Sequence, residues 1–160
     1  MRLVDKVKFV TACPPAALTS TAGDGDYISM KNFDHLTIVI LVDNATTVTG
    51  GAVTLKQATA VAGTGEKALA FTKMWANVDT GASDTLVETT VSSNTFTTAT
   101  TDNKNLMYVI EVEATDLDTA NGFDCIRIDV ASMANAVGSV LYMAHAPAYN
   151  PAIAVSAITD

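Results

Sequence analysis

The sequence predicts an all-β fold: a single-domain antiparallel β-sandwich, jelly-roll-like, of about eight strands with extended terminal arms. Three observations lead there. Short apolar or alternating runs recur along the chain, clusters of Gly, Asn, Asp and Ser separate them, and no segment sustains a 3.6-residue amphipathic period. The length of 160 residues suits one domain. With 49% hydrophobic and 16% charged residues the composition is the opposite of a disordered chain. Part of that apolar total is alanine: 25 Ala and 23 Thr make up almost a third of the sequence.

Taken in order, the run 36–42 (Leu-Thr-Ile-Val-Ile-Leu-Val) is continuous, β-branched and aliphatic, and reads as a strand covered on both faces. Residues 52–57 alternate, with Val53, Leu55 and Gln57 on one face and Thr54 and Lys56 on the other. Residues 69–76 place Leu69, Phe71 and Trp75 on one face, with Trp75 expected inward. The Thr-rich runs 86–91 and 95–100 suit exposed or edge strands. Residues 108–114 put Tyr108, Ile110, Val112 and Ala114 inward and Glu111 and Glu113 toward water. Residues 124–130 repeat the pattern, with Ile126, Ile128 and Val130 in and Arg127 and Asp129 out. The last strand is 139–144, and the best helical turn is 114–120, with Thr115 as a candidate N-cap and Gly122 as its stop. The expected organisation is an extended N-terminal arm over 1–22, a sandwich over 23–145 and a C-terminal arm over 146–160.

Charge narrows the partners. Nine basic against 17 acidic residues give a net charge of −8, the wrong sign for neutralising phosphates, so no nucleic-acid partner is expected. The early charges Arg2, Asp5, Lys6 and Lys8 leave no room for a secretory signal. Residues 130–159 contain no Asp, Glu, Lys or Arg, yet Asn135, His145, Asn150, Pro147 and Pro151 break any membrane span, so no membrane partner is expected. Cys13 and Cys125 read as buried thiols.

Motifs for chemistry are weak. Residues 63–67 (Gly-Thr-Gly-Glu-Lys) lack the glycine spacing of a phosphate loop, carry Ala68 where a magnesium-binding hydroxyl is needed, and read as a hairpin loop. Asp116 and Asp118 open like a calcium loop, but Arg127 stands where the bidentate glutamate belongs, so a capped turn is expected. His35 and His145, with the two cysteines, have none of the short spacings that signal a metal site. There is no Gly-x-Ser-x-Gly elbow. The expectation is therefore a non-enzymatic protein with no catalytic residue, no cofactor and no metal.

The two ends carry the interaction argument. Residues 9–23 are uncharged and contain Pro14-Pro15, which favours an extended chain; the C-terminal end places Tyr149 between Pro147 and Pro151. Pro14, Pro15, Leu18, Pro147, Tyr149, Pro151 and Ile153 are the candidate contacts, since uncharged segments with an aromatic anchor suit protein interfaces. Truncating 1–22 or 146–160 is then expected to weaken assembly while the sandwich still folds.

The segments 27–40 (Tyr-Ile-Ser-Met-Lys-Asn-Phe-Asp-His-Leu-Thr-Ile-Val-Ile), 65–74, 108–118 and 121–128 resemble small virion structural proteins of tailed bacteriophages, and among them jelly-roll capsid cement or decoration proteins. The resemblance spans roughly residues 25–150 and rests on framework strands and turns. It implies a non-enzymatic protein that binds the outer capsid surface, partners the major capsid protein and itself as a dimer or trimer, and is found in the virion after assembly in the host cytoplasm. Other positions in the particle, at the head–tail junction or in the tail, follow from the same resemblance. A carbohydrate-binding or hydrolytic β-sandwich is the alternative from another class, disfavoured by 6% aromatic content and a single tryptophan.

Overall fold

The computed structural model describes residues 2–19, 24–147 and 156–158. Its regular structure is eleven strands and three short 3-10 turns. In chain order the strands are β1 (Lys8–Ala17), β2 (Ile28–Ser29), β3 (Phe33–Asn44), β4 (Ala52–Ala58), β5 (Lys67–Ala68), β6 (Lys73–Asn77), β7 (Val87–Thr90), β8 (Thr95–Thr97), β9 (Lys104–Glu113), β10 (Cys125–Val130) and β11 (Ala136–Pro147). They form a six-stranded sheet in the order β1-β11-β3-β9-β6-β7 and a five-stranded sheet in the order β2-β10-β4-β5, with β8 also on β4. All pairings are antiparallel. The expected single-domain β-sandwich is therefore present. No described helix is long and apolar enough to cross a membrane.

The two sheets bury their facing residues in one core. Leu36, Ile38 and Ile40 of β3, Tyr108, Ile110 and Val112 of β9, and Ile126 and Ile128 of β10 are all buried, as their period-two alternation predicts. Gln57 also points inward from β4, where its amide donates to the Ala68 carbonyl at 3.2 Å and accepts from the Asp118 N–H at 2.9 Å. A buried amide satisfied on both sides costs little.

A tyrosine from the six-stranded sheet completes the backbone hydrogen bonding of the other. The Tyr142 hydroxyl on β11 crosses the core and accepts from the Ile128 N–H on β10 at 2.9 Å. The need arises because β2 pairs only with Cys125 and Ile126, so Ile128 lies past its end. Gly25 runs alongside, donating its N–H to the Ile128 carbonyl at 3.1 Å. A Cβ on Gly25 would sit 2.6 Å from that carbonyl oxygen, so only glycine lets the chain approach this closely.

The N-terminal region departs from the expected arm. Residues 8–17 form β1, which pairs with β11 as an edge strand of the six-stranded sheet. Pro14 and Pro15 fall where the register shifts between Cys13 and Ala16, a place where a sheet tolerates residues without an N–H. Leu18, just beyond, is 1% exposed and packs over Gly138, where a Cβ would come within 2.7 Å of Leu18 Cδ1. Leu18 is thus a core residue and not an exposed contact. The C-terminal residues 156–158 also return to the sandwich: Ala157 is buried, and its carbonyl accepts from the Ser29 N–H at 2.7 Å. Removing residues 1–22 consequently strips a strand and the core side chains of Val10, Ala12, Cys13 and Leu18. In urea unfolding, Leu18→Ala alone is expected to cost about 2–5 kcal/mol, and the truncation more; a truncated chain as stable as the parent would refute this placement.

Candidate functional site

The residues that face outward from the six-stranded sheet form rows fixed by strand register. Across the middle run Thr11, Leu141, Val39, Val109 and Trp75, each opposite the next. The following row holds Ser139, Leu41, Met107 and Asn77, and the one after it Val137, Asp43 and Asn105. On the other side lie Phe9, Met143, Thr37 and Glu111, and then His145, His35 and Glu113. The centre is apolar and the two ends are polar, the arrangement of a protein interface with an apolar core and a hydrated rim.

The expectation that the run 36–42 is covered on both faces is corrected here. Leu36, Ile38 and Ile40 enter the core, while Leu41 is 43% exposed and Val137 46%. The loop after β6 covers one corner of this face, where the buried Asn77 donates to the Ser83 carbonyl at 2.7 Å, and leaves Leu41 and Val137 open. Leu41, Met107, Val137 and Pro15 line a shallow groove of about 310 Å³ on it. Of the candidate contacts, Pro14 and Pro15 are exposed and Pro15 reaches this groove. Leu18 is buried, and Pro147 ends β11 opposite Phe33. Tyr149, Pro151 and Ile153 lie outside the described residues.

Trp75 is also corrected, from inward to outward. Leu69 and Phe71 are buried, but β6 begins only at Lys73, so the chain breaks its alternation at residues 70–72 and Met74 becomes the inward residue. Trp75 then pairs with Val109 on the outer face and borders a cleft of about 260 Å³ with Glu111, Asp116 and Lys73.

The outer face of the five-stranded sheet is of different character. Lys56 bonds Glu66 at 2.7 Å and Asp129 at 2.8 Å, and Arg127 donates from Nη2 to Asp129 Oδ2 at 2.8 Å. Tyr27 donates its hydroxyl to Glu66, and the Arg127 guanidinium lies 5.3 Å from the Tyr27 ring centroid. Hydrogen bonds from Lys56 and Tyr27 hold the Glu66 carboxyl below its ordinary pKa. The loop between β4 and β5 that supplies Glu66 contains the glycine-rich residues 63–67, and it is the hairpin loop expected: Thr59 N–H donates to Thr64 O at 2.9 Å, with Gly63 and Gly65 at φ of 80° and 67°. The acidic turn is likewise structural. Asp116 accepts from the Glu113 N–H at 2.9 Å in a capping box, so Glu113 is the cap and not Thr115, and Asp118 binds Lys67 and Asn121. Cys13 and Cys125 are both buried, and burial followed by the charges of Asp24 and Asp26 raises the Cys13 thiol pKa.

One cluster was not foreseen. His35 on β3 and His145 on β11 are directly opposite, with ring centroids 4.3 Å apart, and Glu111 and Glu113 face them from β9. His35 Nε2 meets Glu111, and its Nδ1 is 2.5 Å from Glu113 Oε1. Thr37 Oγ1 lies 2.9 Å from Glu111 Oε2 and 3.0 Å from His145 Nε2. Burial works to lower the His35 pKa, but the hydrogen bonds of Glu111 and Glu113 outweigh it and the net shift is upward from 6.5. For His145 burial and then the neighbouring His35 charge lower it from 6.5. The signal in the sequence was the outward alternation of Glu111 and Glu113; the histidines, 110 positions apart, meet only through the β3–β11 register. In a metal-free NMR titration His35 is expected to lose its proton above 6.5 and His145 below it. Because the folded His35 pKa is raised, its stabilising contribution is complete below about pH 6.5 and disappears as pH rises through the folded value. Coincident titration of both rings would overturn this assignment.

No protein-family model matches the chain, and no curated protein matches it. Among solved structures, the chain is similar to one described as "Crystal structure of SPBc2 prophage-derived protein YomS", at 15% identity and a TM-score of 0.45, covering 86% of this chain and 91% of that one. That neighbour is a prophage-derived protein; the likeness is too distant to bring a role to this chain.

Proposed function

We propose that this chain is a non-enzymatic virion structural protein of a tailed bacteriophage, a cement or decoration protein that binds the outer surface of the expanded capsid through the apolar face of its six-stranded sheet. The observation that carries the reading is the contrast between the two outer faces. One presents Leu41, Val137, Met107 and Val39; the other is tied down by the Lys56, Glu66, Arg127 and Asp129 ion pairs. A face of the first kind gains by leaving water, and one of the second kind stays hydrated. The sequence resemblance supplies the partner, the major capsid protein, with self-association as a dimer or trimer. A protein that binds only the expanded lattice stabilises that state by mass action against internal pressure, and many copies add their modest affinities. The purified chain is expected to co-sediment with undecorated expanded capsids; failure to do so removes the cement role, and label confined to one vertex of intact particles would assign it to the head–tail junction instead.

One observation favours a second reading, a carbohydrate-binding sandwich: the outward Trp75 beside Glu111 and Asp116 in the 260 Å³ cleft. Such sites pair an exposed aromatic with polar groups. A glycan array with no signal, or signal unchanged in Trp75→Ala, eliminates it.

A further inference from the structure

We propose that His35, His145 and Glu111 form a binding site for a divalent transition-metal ion of the zinc class on the outer face of the six-stranded sheet, independent of the virion role argued above. The three residues each offer one ligand atom, and these atoms all lie within 4.8 Å of one another. Donors sharing a tetrahedral zinc at about 2.0–2.1 Å stand roughly 3.4 Å apart, so side-chain rotation closes the set. The strands that carry them, β11, β3 and β9, are adjacent and paired along nearly their whole length, which makes a firm frame for a metal.

The chemistry of the donors selects the ion. Two imidazoles and one carboxylate suit zinc, cobalt or nickel, whereas calcium and magnesium want six or more oxygens. The surroundings complete the design. Glu113 lies against His35 Nδ1, so the N–H of that nitrogen donates to a carboxylate and Nε2 is turned toward Glu111. That is the arrangement in which a carboxylate orients a metal-bound histidine. A cation between His35 Nε2 and Glu111 takes the place of the proton they share. Thr37 Oγ1, within hydrogen-bond distance of both Glu111 and His145, orients the other two ligands. Two neutral imidazoles leave the charge of the ion to be balanced by Glu111 and Glu113.

The test uses the full chain, free of any histidine tag and stripped with a chelator. Calorimetric titration with Zn²⁺ is expected to give one ion per chain, and Co²⁺ an absorption spectrum of tetrahedral intensity. His145→Ala and Glu111→Gln are each expected to weaken Zn²⁺ binding at least about tenfold, with folding checked by circular dichroism. In the unmodified chain, added Zn²⁺ is expected to shift the ring NMR signals of both His35 and His145, a readout independent of whether the variants fold. Absence of binding, binding that survives His145→Ala unchanged, or histidine signals that do not move would each overturn the site and leave the cluster as a hydrogen-bonded network alone.

Discussion

Replacing Leu41 and Val137 together with lysine is expected to weaken binding to expanded capsids at least about thirtyfold, the loss that corresponds to removing a ~2 kcal/mol interface anchor. Both side chains line the groove with Pro15 and Met107, so two ammonium groups there must be desolvated when the face is covered, with Asp43 the one carboxylate in the groove to set against them. The fold is expected to survive. Leu41 and Val137 are 43% and 46% exposed, and substitutions at such sites usually change stability by no more than about 0.5 kcal/mol. Thr97→Lys, an exposed position on β8 of the opposite sheet, is the control and is expected to bind as the parent does. Sedimentation with capsids measures the binding and thermal unfolding the stability. If the double variant binds as well as the control, the apolar face is not the contact surface.

The largest stability effects are expected at Tyr142. Its side chain is fully buried, and Tyr142→Ala is expected to cost about 3–5 kcal/mol from the lost ring and the cavity it leaves. Against a total stability of about 5–15 kcal/mol for a domain, that is enough to unfold part of the population at moderate temperature. Tyr142→Phe separates packing from hydrogen bonding. It keeps the ring but leaves the Ile128 N–H without the acceptor now at 2.9 Å, for an expected loss of about 1–3 kcal/mol. Urea unfolding of the two variants reads both terms. A Tyr142→Phe protein indistinguishable from the parent would mean that the cross-sheet hydrogen bond does not contribute.

How much of this was legible in the sequence depended on whether the signal was local. The faces of β9 and β10 were, because Glu111 and Glu113 or Arg127 and Asp129 alternate with buried aliphatics and parity needs no knowledge of a partner strand. The hairpin loop at 63–65 and the capped turn at Asp116 were also legible, since turn chemistry acts within a few residues. β3 was read as covered on both faces because a continuous apolar run looks the same whether its second face is buried or left open. Pro14-Pro15 argued for an extended arm because prolines favour extended backbone, but an extended chain can equally pair as an edge strand, whose bulge does not require the missing N–H donors. Trp75 was misplaced because the break at residues 70–72 resets the alternation, and nothing in Ala70-Phe71-Thr72 announces it.

By itself the sequence determined the sandwich, the identity of most core residues and the absence of a recognised catalytic motif. All of these follow from periodicity and composition, which are properties of neighbouring residues. Only the tertiary structure decided that Leu18 plugs the core over Gly138, that an apolar face stands opposite an ion-paired one, and that His35 meets His145 beside Glu111. Those facts depend on strand order and register, set by contacts between segments distant along the chain, and a shift of one residue in any pairing would turn every side chain to the other face.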